Sequence, residues 1–279
     1  MKLRKKLSPV LIDSFNCEDC DTTMTRMINS KLKTDVVITS PPYNTGKSGT
    51  SETARNNFDG KYDVYMDTKS VDQYIEWTVS LFNKFDSVLK PNGVICYNMS
   101  YGSNTTSADG DTVNLVWLTI AEVIKRTPFM IADRIIWKKR SALPNNVSPN
   151  KLTRIVEDIF VFVRKDEYKT FYCNKEVTSV SKVGQTFYKP IYNLIEAPNN
   201  DGVCKFNKAT FSSQLVTELL DIYCPVGGLC YDPFMGSGTT AVGCHYVGNH
   251  FIGSEISENQ IEFSKNRLVS IGGNYNETR

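Results

Sequence analysis

The sequence predicts an α/β fold, on three observations. Apolar runs of strand length alternate with segments of helical period along most of the chain. Neither an internal repeat nor a low-complexity tract interrupts them. The 279 residues are 41% hydrophobic, enough to build a substantial core.

In chain order, strands are expected at 11–15, 36–39, 94–98, 130–137, 155–164, 228–232 and 251–254, and helices at 22–33, 71–89, 112–126, 213–223, 239–247 and 257–269. The helix at 71–89 places Val71, Ile75, Val79, Phe82, Phe85 and Leu89 on one face, and Pro91-Asn92-Gly93 ends it. Two stretches break the alternation. Residues 44–67 are polar and glycine-containing, a loop long enough to be functional. Residues 166–206 mix Lys, Thr, Ser, Asn and aromatics without a period, as an inserted module would.

Composition excludes several classes. The apolar runs fall far short of the roughly 20 residues that span a bilayer, and the basic start Met1-Lys2-Leu3-Arg4-Lys5-Lys6 has no apolar signal region behind it. A soluble cytoplasmic protein is the expectation. Eight cysteines without repeating spacings suit reduced thiols. Cys17 and Cys20 form a CxxC, but no second pair or histidine at ligand spacing joins it, so no metal is expected. The net charge is only +2, yet Lys125 to Lys189 holds 14 basic and 6 acidic residues. Positive charge is therefore concentrated in one region.

The segment Tyr231-Asp232-Pro233-Phe234-Met235-Gly236-Ser237-Gly238-Thr239-Thr240-Ala241 joins an expected strand to an expected helix, and its small residues let the backbone approach a ligand. A triphosphate loop would need a lysine before the final Thr, and none is present. A dinucleotide site stays open, since Gly236-x-Gly238-x-x-Ala241 fits that fingerprint and Glu255 follows 17 residues after Gly238. S-adenosylmethionine fits as well, with Glu255 accepting both ribose hydroxyls.

Asp35-Val36-Val37-Ile38-Thr39-Ser40-Pro41-Pro42-Tyr43 separates these readings. An apolar strand runs into two prolines, which fix φ and lack N–H donors, so the turn is stiff and rich in acceptors. Ser40 Oγ and the Ser40 or Pro41 carbonyl can accept the hydrogens of an amino group on a flat ring, with Tyr43 stacked on that ring.

Ser-Pro-Pro-Tyr after an apolar strand, together with Asp-Pro-Phe-x-Gly-Ser-Gly-Thr-Thr, resembles the amino-group DNA methyltransferases. The Pro-Pro-Tyr turn comes first and the glycine turn last, an order similar to the circularly permuted β group of that family. The resemblance covers nearly the whole chain outside 166–206. Asn16-Cys17-Glu18-Asp19-Cys20 resembles the family's N-terminal Gly-Asp-Cys segment. Asn207-Lys208-Ala209-Thr210-Phe211 resembles its His-Pro-x-x-Phe segment, with Asn207 and Lys208 in place of His and Pro.

The resemblance implies a mostly parallel seven-stranded sheet with helices on both faces. Residues 1–165 and 207–279 would form the catalytic and cofactor domain, and 166–206 a target-recognition insertion. S-adenosylmethionine is the implied cofactor, held by Asp19, Cys20, Thr39, Asn207, Ala209, Thr210, Asp232, Phe234, Gly236, Ser237, Gly238, Thr239 and Glu255. The implied methyl-acceptor turn is Ser40, Pro41, Pro42 and Tyr43. The implied reaction is direct: hydrogen bonds accepted at Ser40 and Pro41 localise the lone pair of an exocyclic amine, and no covalent enzyme intermediate is needed. Double-stranded DNA is the implied substrate, with the base flipped onto Tyr43 and residues 44–67 as a lid.

Lys138, Lys139, Arg140, Lys151 and Arg154 are expected on phosphates, while Lys175 and Lys182 lie among aromatics where the family keeps its recognition region. A serine at the first turn position is commoner among cytosine-N4 enzymes of the family, so Ser40 favours cytosine N4, with adenine N6 the alternative. A homodimer and a companion restriction endonuclease are partners the family allows. More remote alternatives are a catalytically idle DNA-binding subunit, a protein glutamine methyltransferase and an NAD-dependent oxidoreductase. The last leaves Ser40-Pro41-Pro42-Tyr43 without a task and offers only His245 and His250 as histidines.

Overall fold

Runs of Val, Ile, Phe and Cys buried on both faces make the central strands, as a sheet covered on two sides requires. The computed structural model describes residues 8–44, 69–100, 104–106, 112–142, 144, 146, 149–150, 152–203 and 210–277. In order they form β1 (Ser14–Cys17), α1 (Cys20–Ser30), β2 (Thr34–Thr39), α2 (Val71–Val88), β3 (Leu89–Met99), β4 (Asn104–Thr106), β5 (Thr112–Asn114), α3 (Leu115–Arg126), β6 (Phe129–Lys139), β7 (Val156–Arg164), β8 (Val177–Val180), β9 (Thr186–Tyr188), β10 (Leu194–Ala197), α4 (Ser213–Tyr223), β11 (Leu229–Asp232), α5 (Thr239–Val247), β12 (His250–Glu255) and α6 (Glu258–Ser270).

The main sheet has the order β1-β12-β11-β2-β3-β7-β6-β10. All neighbours are parallel except at β7, which opposes both β3 and β6. Seven of these strands are those expected from the sequence. The eighth, β10, comes from within 166–206 and pairs with β6 from Leu194↔Ile136 to Ala197↔Lys139.

Each face of the sheet carries a core. One gathers α1, α2 and α3 around Phe82, whose ring meets those of Phe85, Tyr97, Phe129 and Phe162 edge-on with centroids 4.8–5.9 Å apart. The other packs α4, α5 and α6 on Val36, Ile38, Cys96, Ile159 and Val161. Side chains fix the helix starts: Ser70 and Gln73 form a reciprocal capping box on α2, and Ser212 and Ser257 cap α4 and α6.

Several expectations need correction. Pro91-Asn92-Gly93 does not separate α2 from β3; the strand begins at Leu89 and absorbs the three residues as a bulge, with Thr34 facing Leu89 and Val36 facing Val94. Pro91 has no N–H for the ladder and Asn92 takes φ +60°. The helix expected from residue 112 starts at Leu115, because Asn114 caps it and Thr112–Asn114 pairs with β4. Of the expected insertion, residues 166–203 are not a separate body either. Phe171 and Cys173 pack against the second core and β10 extends the main sheet, so only the β8–β9 hairpin stands apart. Among the described residues no helix is long and apolar enough to cross a membrane.

Candidate active site

Parallel strands deliver their following loops to one end of a sheet, and ligands of such folds sit there. β2 and β11 are adjacent, Val36 facing Cys230 and Val37 facing Tyr231, so the Ser40 turn and the glycine turn emerge side by side. One cavity lies between them, lined by Asp19, Cys20, Ser40, Pro42, Thr210, Phe234, Gly236, Ser237, Thr239 and Glu255 of the expected site. Glu18, Trp77, Phe211, Met235, Ile256 and Gln260 also line it, with Pro233 and Ser254. Asn207 and Ala209 lie outside the described residues, as does 45–67 of the expected lid.

The glycine turn depends on backbone freedom. Gly236 has φ +51° and Gly238 +78°, and a Cβ on Gly238 would stand 2.7 Å from that of Ser264. Glu255 is held by two amides, Gly236 N donating to Oε2 at 3.0 Å and Ser257 N to Oε1 at 2.9 Å. A carboxylate offers two acceptor oxygens, the chemistry that a ribose diol takes. Arg267, which the sequence reading overlooked, braces the turn from α6 by donating to Ser237 O and Thr239 Oγ1 while pairing with Asp201.

Asp232 and Thr39 do not line the cavity; they lie beneath it. Asp232 accepts from Thr39 Oγ1 at 2.8 Å, Thr240 Oγ1 at 2.6 Å and Phe234 N at 3.0 Å. Burial pushes its carboxyl up to about 6 against the pull of those donors. The Thr39 bond ties the two turns together. Cys20, at the start of α1, is pushed up to about 12 by burial and the nearby Asp19 and Asp21 charges, so it stays a thiol facing the cavity.

The donor set fits S-adenosylmethionine. Asp19 and Glu255 suit a cationic ligand with a ribose diol, Glu18 being paired with Arg26, and the rings of Trp77 and Phe234, 5.6 Å apart, give it a flat apolar wall.

At the acceptor turn, Tyr74 Oη donates to Pro42 O at 2.9 Å, pinning the prolines to α2. Ser40 Oγ and Tyr43 Oη are 2.7 Å apart. Two residues that the sequence reading had as mere strand positions converge on them. Asn98, at the end of β3, directs Nδ2 to Tyr43 Oη (2.8 Å) and to Glu157 Oε2 (3.1 Å). Glu157, at the start of β7, is only 9% exposed and lies 3.4 Å from Tyr43 Oη.

The basic residues divide. Lys139 is not free for phosphate, as expected from sequence, because its Nζ holds Glu157 Oε1 at 2.5 Å beside the Trp137 ring. Arg140 donates to Gln214. Lys138, exposed and paired with Glu196, and exposed Arg154 remain at the Ser40 end of the sheet. Lys175 and Lys182 do not join them: Tyr172 N bonds Asn92 O and Asn174 N bonds Ile222 O, which roots that segment where β3 starts and α4 ends. The opposite end of the strands is about 20 Å away. Lys151 lies outside the described residues.

With this geometry in place, the class is defined: the chain belongs to the DNA methylase family, whose N6/N4 methyltransferase model matches residues 34–266. It is similar to the Type II methyltransferase M.SmaI of Serratia marcescens, 24% identical over 261 residues and 84% of both chains. It is also similar to M.BglII of Bacillus subtilis, 22% identical over 246 residues, where it spans 82% of this chain and 62% of that protein. Among solved structures, the cytosine-N4-specific PvuII DNA methyltransferase superposes with a TM-score of 0.63 at 16% identity, covering 92% of this chain and 86% of that one. The complex of M1.HpyAVI with S-adenosylmethionine gives 0.60 at 20% identity, covering 91% and 98%. The fold is thus that of the S-adenosylmethionine-dependent methyltransferases.

Proposed function

We propose that this chain is a site-specific DNA methyltransferase that methylates the exocyclic amine of a base turned out of the duplex, with cytosine N4 the target. The observation that carries the reading is the shared cavity: Ser40 and Pro42 form one wall of the pocket whose other wall is the glycine turn. When bound, S-adenosylmethionine supplies an electrophilic methyl group. Glu255 holds its ribose, Asp19 and Cys20 lie against its adenine, and Phe211 closes the far side.

Ser40 Oγ and the Pro41 carbonyl accept the amine hydrogens, which draws the nitrogen lone pair out of ring conjugation. The two prolines hold those acceptors rigid, so their orientation costs nothing at the moment of reaction. Tyr43 supplies the stacking surface that offsets part of the few kcal/mol of base unstacking. Lys138 and Arg154 face phosphates. Ser40 supports cytosine over adenine. The Type II relatives support a companion endonuclease, a homodimer remains a proposal by family likeness, and cytoplasmic residence follows from a DNA substrate.

The test is to incubate the protein with unmethylated DNA and S-adenosylmethionine, digest to nucleosides and identify the product by mass spectrometry. N4-methylcytosine is expected. N6-methyladenine would overturn the target base, and no methylated base the function.

A further inference from the structure

The polar groups behind the acceptor turn form a chain with a direction. Lys139 Nζ donates to Glu157 Oε1, and Asn98 Nδ2 has two hydrogens for three acceptors, Tyr43 Oη at 2.8 Å, Glu157 Oε2 at 3.1 Å and Ser40 Oγ at 3.4 Å, of which the two shorter contacts take them. A flipped Asn98 amide would turn its oxygen onto the Glu157 carboxylate, so the carboxylate sets its orientation.

Two oxygen–oxygen contacts set the direction, Ser40 Oγ to Tyr43 Oη at 2.7 Å and Tyr43 Oη to Glu157 Oε2 at 3.4 Å. If the phenol donated to Ser40, its oxygen would face the carboxylate with no hydrogen between them. If the phenol donates to Glu157 and Ser40 donates to the phenol, both contacts hold a hydrogen. A carboxylate is also the stronger acceptor. The second arrangement leaves Ser40 Oγ, which lines the cavity, an acceptor whose lone pairs meet only the long 3.4 Å contact from Asn98 Nδ2.

We propose that Glu157 is a positioning residue: acting through Tyr43 and Asn98, its carboxylate fixes the hydrogen-bond direction so that Ser40 Oγ meets the target amine as an acceptor rather than a donor. This rests on the reading of the Ser40 turn as the amine site. Glu157 is held by Lys139 of β6, Asn98 of β3 and Tyr43 of the turn. It does not line the cofactor cavity. Hydrogen bonds in such a chain reinforce one another, and the acceptance at Ser40 strengthens as positive charge develops on the amine.

The test uses Glu157→Gln, which keeps shape but removes the charge, and Tyr43→Phe, which keeps the ring but removes the link. In single-turnover methylation each is expected to slow transfer about 100-fold, and the double variant no further, while calorimetric affinity for S-adenosylmethionine stays within about twofold of wild type. A second readout needs no cofactor: wild type should bind duplex carrying the target base about fivefold tighter than duplex whose target lacks the amino group, and both variants should lose that preference.

A Glu157→Gln protein that melts early would leave the decision to Tyr43→Phe. Wild-type rate and preference in Tyr43→Phe, or losses that multiply in the double variant, would overturn the proposal. A wild-type protein that methylates no DNA would instead defeat the function proposed above.

Discussion

The Ser40 turn and the glycine turn leave neighbouring parallel strands at the same end of the sheet, yet they are built in opposite ways. The first is stiffened by prolines and controlled by side chains from distant elements: Tyr74 of α2 on its carbonyl, then Asn98, Glu157 and Lys139 of the sheet behind Tyr43. The second has no bulk of its own; its glycines bring the backbone close to the cavity, and Glu255, Arg267 and Asp232 hold it from outside. A turn that presents acceptors to a reacting amine needs fixed directions. A turn that receives a cofactor needs room and amides.

That contrast can be broken at several points. Tyr43→Ala removes the phenol link together with the ring, so it should reduce turnover about 10- to 100-fold beyond the loss in Tyr43→Phe, the worth of one base stacked on an aromatic ring, with cofactor affinity retained by calorimetry. A matching loss of cofactor affinity would mean that the two turns are not separable. Gly238→Ala should do the reverse. Its φ of +78° and the 2.7 Å approach to Ser264 strain any side chain, so stability should fall by about 1–3 kcal/mol. Cofactor affinity should drop with it, and DNA affinity should not.

Asp232 lies under both turns, and its carboxyl is raised from 3.8 to about 6 by burial. A group that binds its proton more tightly when folded contributes stability that is complete below its unfolded value and lost as pH rises through the folded one. Melting temperature should therefore gain a favourable contribution as pH falls from about 6 to 4, and Asp232→Asn should remove that part of the profile. Affinity for a cationic cofactor should move the other way, weakening below pH 6 in wild type only. The smallest effect is expected at the surface: Lys138→Glu should weaken DNA binding a few-fold at low salt for all sequences alike, measured by fluorescence anisotropy. A loss confined to one sequence would assign Lys138 to base recognition.

Much of the fold was legible because alternating apolar runs and helical faces are local. Helices 213–223 and 239–247 match the structure at both ends. The bulge at Pro91-Asn92-Gly93 was not legible, since a Pro-Gly turn signal and a strand bulge use the same residues. The hairpin lysines were misplaced for another reason. Lys175 and Lys182 are near Lys139 and Arg154 in charge and in sequence, but β7 runs against its neighbours and carries the chain to the other end of the sheet before the hairpin begins.

What the sequence by itself determined is the pair of motifs, because proline stiffness, glycine freedom and acceptor chemistry belong to consecutive residues. The tertiary structure alone decided their surroundings. Nothing in the strands containing Asn98 or Glu157 marks them out; they meet Tyr43 only because β3 and β7 pair antiparallel, with Asn98 facing Ile159 and Met99 facing Asp158. Trp77 likewise reaches the cavity, and Arg267 the glycine turn behind it, from helix faces that give no local sign of it. A strand's neighbour and the end at which it finishes are set by the packing of the whole sheet, and so is the company each functional side chain keeps.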